Sequence, residues 1–192
     1  MKQNSKTWLI AAGLVAVAVA WRVMNWQNSV APNLELVTAT CLVAAAFLGR
    51  KAAIAVPLAA MAISDLIIGN SMILLFTWSA FAIIGLSGLA LRRWSNVPVK
   101  LMGASVIAAI GGSAFFFVFT NFGVWFLGDG TMYAKTWAGL MQCYAMGLPF
   151  YRTMLVGNLV LVPAAFGLAL AVRAQARSLA ARRDDTAAAI VS

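Results

Sequence analysis

The groups able to do chemistry are few and unevenly placed. In 192 residues the chain holds five carboxylates, fourteen Lys and Arg, two cysteines and no histidine. Without imidazole the usual general base, metal ligand and switch near neutral pH are missing. Cys41 and Cys143 each stand alone in apolar surroundings, which gives neither a disulfide framework nor a paired metal motif. No GxxxxGK[ST] loop, HExxH pair or serine elbow is present, and Gly128-Asp129-Gly130 reads as a turn rather than a phosphate loop. The sequence therefore reads as a non-enzyme without cofactor or metal, and without a nucleotide site of its own to energise transport.

The remaining polar residues fall into three stretches. The first carries Trp21, Asn25, Trp26, Gln27, Asn28, Asn33 and Glu35; the second Asp65, Gly69, Asn70 and Ser71; the third runs from Asn121 through Trp125, Tyr133, Lys135 and Tyr144 to Arg152. Amides and aromatic rings together suit a small polar ligand, rings stacking on its flat face and amides reading its edge. The competing reading of any single Trp or Tyr is an interfacial belt residue that needs no ligand. Asn33, Glu35, Asp65, Asn121, Trp125, Tyr144 and Arg152 are the ligand-binding candidates. Glu35 opens an apolar stretch, where the helix dipole favours an acid, so a structural cap competes with a ligand role. Asp65 closes one, where the dipole disfavours it. It needs a cation, and Lys135 or Arg152 on the same side is available, as a structural ion pair or in contact with ligand.

The elements that hold these residues follow from hydropathy. Hydrophobic residues make up 63% of the chain and charged ones 10%, against roughly 45–50% and 25% in soluble domains. Such a chain is integral to a membrane. With about 20 apolar residues needed per crossing, spans are expected at 7–23, 34–48, 52–68, 72–91, 100–119 and 153–172. Lys2, Lys6 and the Ala18-Val19-Ala20 tripeptide resemble a signal peptide, but the first span is read as a retained helix. Residues 120–152 form an outer segment, at the surface or re-entrant, with a short helix near 133–146. Pro163 interrupts the last span, which continues as a polar helical tail over 173–192. Six spans put both termini on one side with eleven bases, against three on the other, so both termini are expected in the cytoplasm. The net charge of +9 is then an orientation signal and requires no nucleic acid. Outside, Arg22, Lys135 and Arg152 balance Glu35, Asp65 and Asp129. Ala12, Ala16 and Ala20 repeat at the spacing that lets helix backbones approach closely, marking a helix-docking face.

The layout of six helices, the basic turn Gly49-Arg50-Lys51, and an alanine-rich third helix ending in SDLIIGN (64–70) resembles the substrate-binding S components of energy-coupling factor transporters. The stretches PNLELVTATCLVAAAFLGRK (32–51), SDLIIGN and TNFGVWFLGDGTMYAKTWAGLMQCYAMGLPFYRTMLVGNL (120–159) are similar to uncharacterised bacterial membrane proteins related to those components. The resemblance implies an all-α integral membrane bundle in the bacterial cytoplasmic membrane. It also implies capture of a vitamin-like micronutrient from the outer side, under a roof made by residues 25–35 and 121–152. Ala12, Ala16 and Ala20 would dock on a transmembrane coupling subunit served by ATPases. The chain departs from the family's pattern in having no histidine and no thiamine- or riboflavin-specific motif. One relative meets cobalt with a cysteine, and Cys41 lies in the outer half of the second span, where a buried structural thiol is the alternative. A different class of function is a non-catalytic accessory subunit of a larger membrane complex, docking through Ala12, Ala16 and Ala20 and through Gly103, Gly111 and Gly112.

Overall fold

A computed structural model describes the backbone of residues 5–191 and the side chains through Arg183. Among the described residues there are six α-helices and no strand: α1 (Ser5–Asn28), α2 (Val37–Leu48), α3 (Arg50–Ile68), α4 (Leu74–Ser87), α5 (Pro98–Leu127) and α6 (Trp137–Val191). A 3₁₀ turn, Gly88–Trp94, extends α4 to the basic pair Arg92-Arg93. Successive helices reverse direction. The tightest reversal is the single residue Gly49, whose φ of 101° only glycine adopts without strain. Its N–H closes α2 by donating to the Ala44 carbonyl.

Five of the helices, counting α4 with its 3₁₀ extension, are long and apolar enough to cross a membrane. Their outward faces are also apolar, with Leu9, Leu66, Ile107, Val160 and Leu168 each more than 60% exposed. A helix bundle apolar both inside and out is suited to lipid rather than water. Lipid tails are as apolar as the core, so close packing rather than escape from water holds such helices together. Small residues supply it here. Ala11 of α1, Ala44 of α2, and Ala52 and Val56 of α3 pack into one buried cluster, while a larger one gathers Leu42, Met61, Phe81, Leu101, Val162 and Phe166.

The second helix departs from its expected form. The apolar run at 34–48 reads as a span, yet only 12 residues are helical, about 18 Å at 1.5 Å per residue. That is well short of the roughly 30 Å hydrocarbon core. Every residue from Val37 to Ala46 is buried, because α2 stands inside the bundle rather than on its lipid-facing side. It begins level with the middle of α5: Glu35, just ahead of it, joins Asn158, which bonds Ser113, and Ser113 lies at the middle of that 30-residue helix. Residues 29–36 therefore lead from the end of α1 into the bundle, where α2 begins.

Residues 120–152 also differ from the expected separate segment. They comprise the last turns of α5, a loop at 128–136, and the first turns of α6. Helices that project beyond the bilayer can carry Asn, Gln and Tyr, so hydropathy alone ends them early. The two ends of the bundle differ sharply in charge. Lys6, Arg50, Lys51, Arg92, Arg93, Lys100, Arg173, Arg177, Arg182 and Arg183 lie toward one end, with no acid among the described side chains there. Arg22, Lys135 and Arg152 lie toward the other end with Glu35, Asp65 and Asp129.

Candidate functional site

The balanced end is organised by α1. Asn25, near the helix end, fastens the descending segment from both sides of its amide. Its Nδ2 donates to the carbonyls of Ala31 and Leu34 at 2.9 and 3.0 Å, and its Oδ1 accepts the Ala31 N–H at 3.0 Å. Trp21 Nε1 donates to the same Leu34 carbonyl at 2.8 Å. The chain turns through left-handed residues at Ser29 (φ 48°) and Asn33 (φ 59°), the second a residue type that tolerates this region. Buried backbone groups need partners, and these side chains provide them where no regular structure exists.

One turn further down α1, Arg22 reaches α3. Its guanidinium bonds Asp65 Oδ1 through Nη2 and Ser64 Oγ through Nε, both at 2.7 Å. Asp65 Oδ2 accepts from Asn70 Nδ2 at 2.5 Å and from Trp78 Nε1 at 2.7 Å. Asp65 thus has its cation, but neither Lys135 nor Arg152 is that cation. Lys135 Nζ instead donates to the Trp125 and Phe126 carbonyls at the end of α5, where the helix dipole favours a cation. Arg152 lies along a separate lateral cleft with Trp21 and Leu34.

Glu35 combines the two roles open to it. Its Oε2 accepts the Thr38 N–H at 2.9 Å, capping α2. Its Oε1 accepts from Asn158 Nδ2 at 3.3 Å, and Asn158 Nδ2 also donates to Ser113 Oγ at 3.1 Å. Asn158 Oδ1 and Thr38 Oγ1, both buried, have no hydrogen-bond partner. The carboxylate of Glu35 also reaches a cavity of about 490 Å³. Exposed Trp26, Asn33 and Asn70 stand at the cavity rim, while buried Glu35, Asp65, Met61, Phe81 and Met154 form its floor. The Phe81 and Phe116 rings, 4.7 Å apart between centroids, both border it. Of the candidates read from sequence, the fold brings Asn33, Glu35 and Asp65 together here.

The other candidates are placed elsewhere. Asn121 borders an adjoining cavity of about 310 Å³, which shares Asn33, Thr77, Phe116 and Met154 with the first. Its amide donates to the Phe117 carbonyl at 2.8 Å and packs against Gly147, where α5 and α6 approach closely. Trp125 Nε1 donates to the Ala134 carbonyl at 2.9 Å and Tyr144 Oη to the Val118 carbonyl at 3.2 Å, tying the α5–α6 hairpin. In its loop, Asp129 Oδ1 accepts the N–H and hydroxyl of Thr131 at 2.9 and 2.6 Å, the turn expected of Gly-Asp-Gly. The side-chain and backbone hydrogen bonds from Thr131 hold the Asp129 carboxyl below its usual range. Cys41 is fully buried with its thiol toward the Thr38 carbonyl, and it does not border the cavity. Ala12, Ala16 and Ala20 share an exposed face of α1, opposite buried Ala11 and Ala18.

Sequence reasoning named Asn25 only as one of the outer amides and passed over Ser64, Trp78, Ser113 and Asn158. Asn158 alone carried a usable signal, as an amide inside an apolar run.

A family model described as a family of unknown function, DUF6580, matches residues 2–181. No curated protein and no solved structure matches the chain.

Proposed function

We propose that this chain, which belongs to the DUF6580 family, is a solute-binding membrane component for uptake of a small vitamin-like micronutrient. The observation that carries the reading is the cavity of about 490 Å³ under residues 29–35. Amides line its rim, aromatic and thioether groups its floor, and hydrogen bonds hold its roof in place. Its size and mixed lining are those of a small-molecule site. The half-length α2, starting at the cavity floor, supports the same reading, since binding sites in membrane proteins gather where a helix is interrupted at mid-depth. The excess of bases at the far end supports a cytoplasmic orientation of that end under the positive-inside rule. The cavity then faces outward across a bacterial cytoplasmic membrane, with six crossings if α2 and its descending segment count as one. Glu35, Asn33 and Asp65 are the ligand-facing residues, and Asn121 belongs to the adjoining cavity. The function is binding without catalysis. The likeness to S components of energy-coupling factor transporters agrees with this arrangement and makes a coupling subunit with ATPases the partner of the Ala12, Ala16 and Ala20 face.

A second reading, an accessory subunit of a larger membrane complex, draws on those same exposed alanines and on Gly103 and Gly111, which have open space beside them. Native mass spectrometry of the purified protein, with titration against a panel of vitamins, tests the choice. A bound small molecule or submicromolar binding supports capture. A fixed-stoichiometry protein partner without ATPases, and no ligand, supports the second reading.

A further inference from the structure

We infer that the captured solute carries a positive charge, and that its cationic nitrogen sits on the cavity floor against Glu35. This rests on the solute-capture reading above and adds the ligand's chemical class. Three charged side chains border the cavity: Arg22, Asp65 and Glu35. Two of them neutralise each other. Arg22 is spent on Asp65 and Ser64. Asp65 is spent on Arg22, Asn70 and Trp78, with both oxygens occupied. Neither is free to grip a ligand's charge without breaking a buried network.

Glu35 is different. Its partners are an N–H of α2 and the amide of Asn158, both neutral donors. Glu35 forms no ion pair with a described residue, and Arg22, which also borders the cavity, is bonded to Asp65 and Ser64 instead. The N-terminus of α2 offsets part of the Glu35 charge, but a carboxylate 7% exposed is costly unless paired. The surroundings on the cavity side favour a cation over any other partner. Phe81 and Phe116 present rings, and a ring face attracts cations through its quadrupole. Met61 and Met154 add polarizable thioethers. Arg22, the cationic side chain bordering the cavity, is already bonded to Asp65 and Ser64, so an anionic group beside Glu35 would meet like charge with no free cation to offset it. A compound with an ammonium or ring-nitrogen cation at one end and hydrogen-bonding groups at the other matches floor and rim together. Asn33 and Asn70 would read its polar end.

Matched probes test this on the whole chain in detergent or nanodiscs at pH 7. Choline is compared with its neutral isostere 3,3-dimethyl-1-butanol. 1-Methylnicotinamide is compared with nicotinamide, and nicotinate serves as the anion. The cation of each pair is expected to bind at least about tenfold more tightly than its neutral partner. Glu35→Gln, which keeps an acceptor for the Thr38 N–H, should abolish that preference while the protein elutes as the wild type does. Any adduct found by native mass spectrometry should likewise be a cation. Equal binding of both members of each pair, preference for nicotinate, or a neutral or anionic adduct overturns the charge assignment and leaves capture standing. Absence of any adduct together with no binding by any probe overturns the capture reading itself.

Discussion

The Arg22–Asp65 bridge gives the most quantitative prediction. In Asp65→Asn one acceptor remains for Arg22, but the new amide places a donor where Asn70 and Trp78 already donate. Arg22 is left without its counter-charge, its side chain 18% exposed, while Asp65 is 6% exposed. Removing one partner of a buried ion pair costs about 3–5 kcal/mol. Arg22 borders the cavity and retains some contact with water, which favours the lower end. The two donors that lose their acceptor add roughly 1 kcal/mol each. A total of about 5 kcal/mol is expected, read by SDS-induced equilibrium unfolding in mixed micelles. The double variant Arg22→Gln with Asp65→Asn has no stranded charge and should be less destabilised than the sum of the single variants, by at least about 1.5 kcal/mol. Arg152→Gln, with no hydrogen-bond or ion-pair partner among the described residues to lose, should shift stability by less than about 0.5 kcal/mol. A loss under 1 kcal/mol for Asp65→Asn, or strict additivity in the cycle, would refute the role given to this bridge.

Three other outcomes follow from the same geometry. A methyl added at Gly85 runs into the Ala53 carbonyl of α3, whereas one at Gly103 meets nothing within 4 Å. Gly85→Ala should therefore destabilise by about 1–3 kcal/mol, and Gly103→Ala should be neutral or stabilising by up to about 1 kcal/mol through helix propensity; thermal unfolding of both separates them. Asn25→Ala removes three hydrogen bonds from the roof and should speed amide exchange across residues 29–36 while α5 and α6 stay protected. Thr131→Val deletes the hydroxyl donor to Asp129, so the carboxyl pKa should rise toward its ordinary value in a carbon-detected NMR titration. The sign follows from the lowered value in the folded state. The interaction is present above the ordinary carboxylate range and is lost as pH falls through the lowered pKa.

The sequence made some of this legible and hid the rest for physical reasons. Helix reversal at Gly49 and the turn at Asp129 are local, and each was readable from adjacent residues. The half-length of α2 was not, because an apolar run has the same composition whether it faces lipid or stands inside a bundle. The partner of Asp65 was misread for a related cause. Arg22 lies 43 positions away, and nothing in periodicity favours it over Lys135 or Arg152 at the same end. Of the polar candidates, Asn33, Glu35 and Asp65 meet at one cavity because loop and helix ends converge there. Trp125 and Tyr144 are instead used to tie the α5–α6 hairpin, and hydrogen-bonding side chains of the same type serve either purpose. Asn25, which secures the roof, was one amide among several in its stretch.

The central claim is that the cavity beneath residues 29–35 binds a small solute. The most direct measurement is native mass spectrometry and calorimetry on the wild type beside Thr77→Trp, whose larger ring would fill the space that Thr77 now borders. The account predicts a small-molecule adduct, or saturable binding of a cationic probe, in the wild type and its loss in the folded Thr77→Trp protein. An adduct that persists in the filled variant, or a wild type that carries and binds nothing, would contradict it.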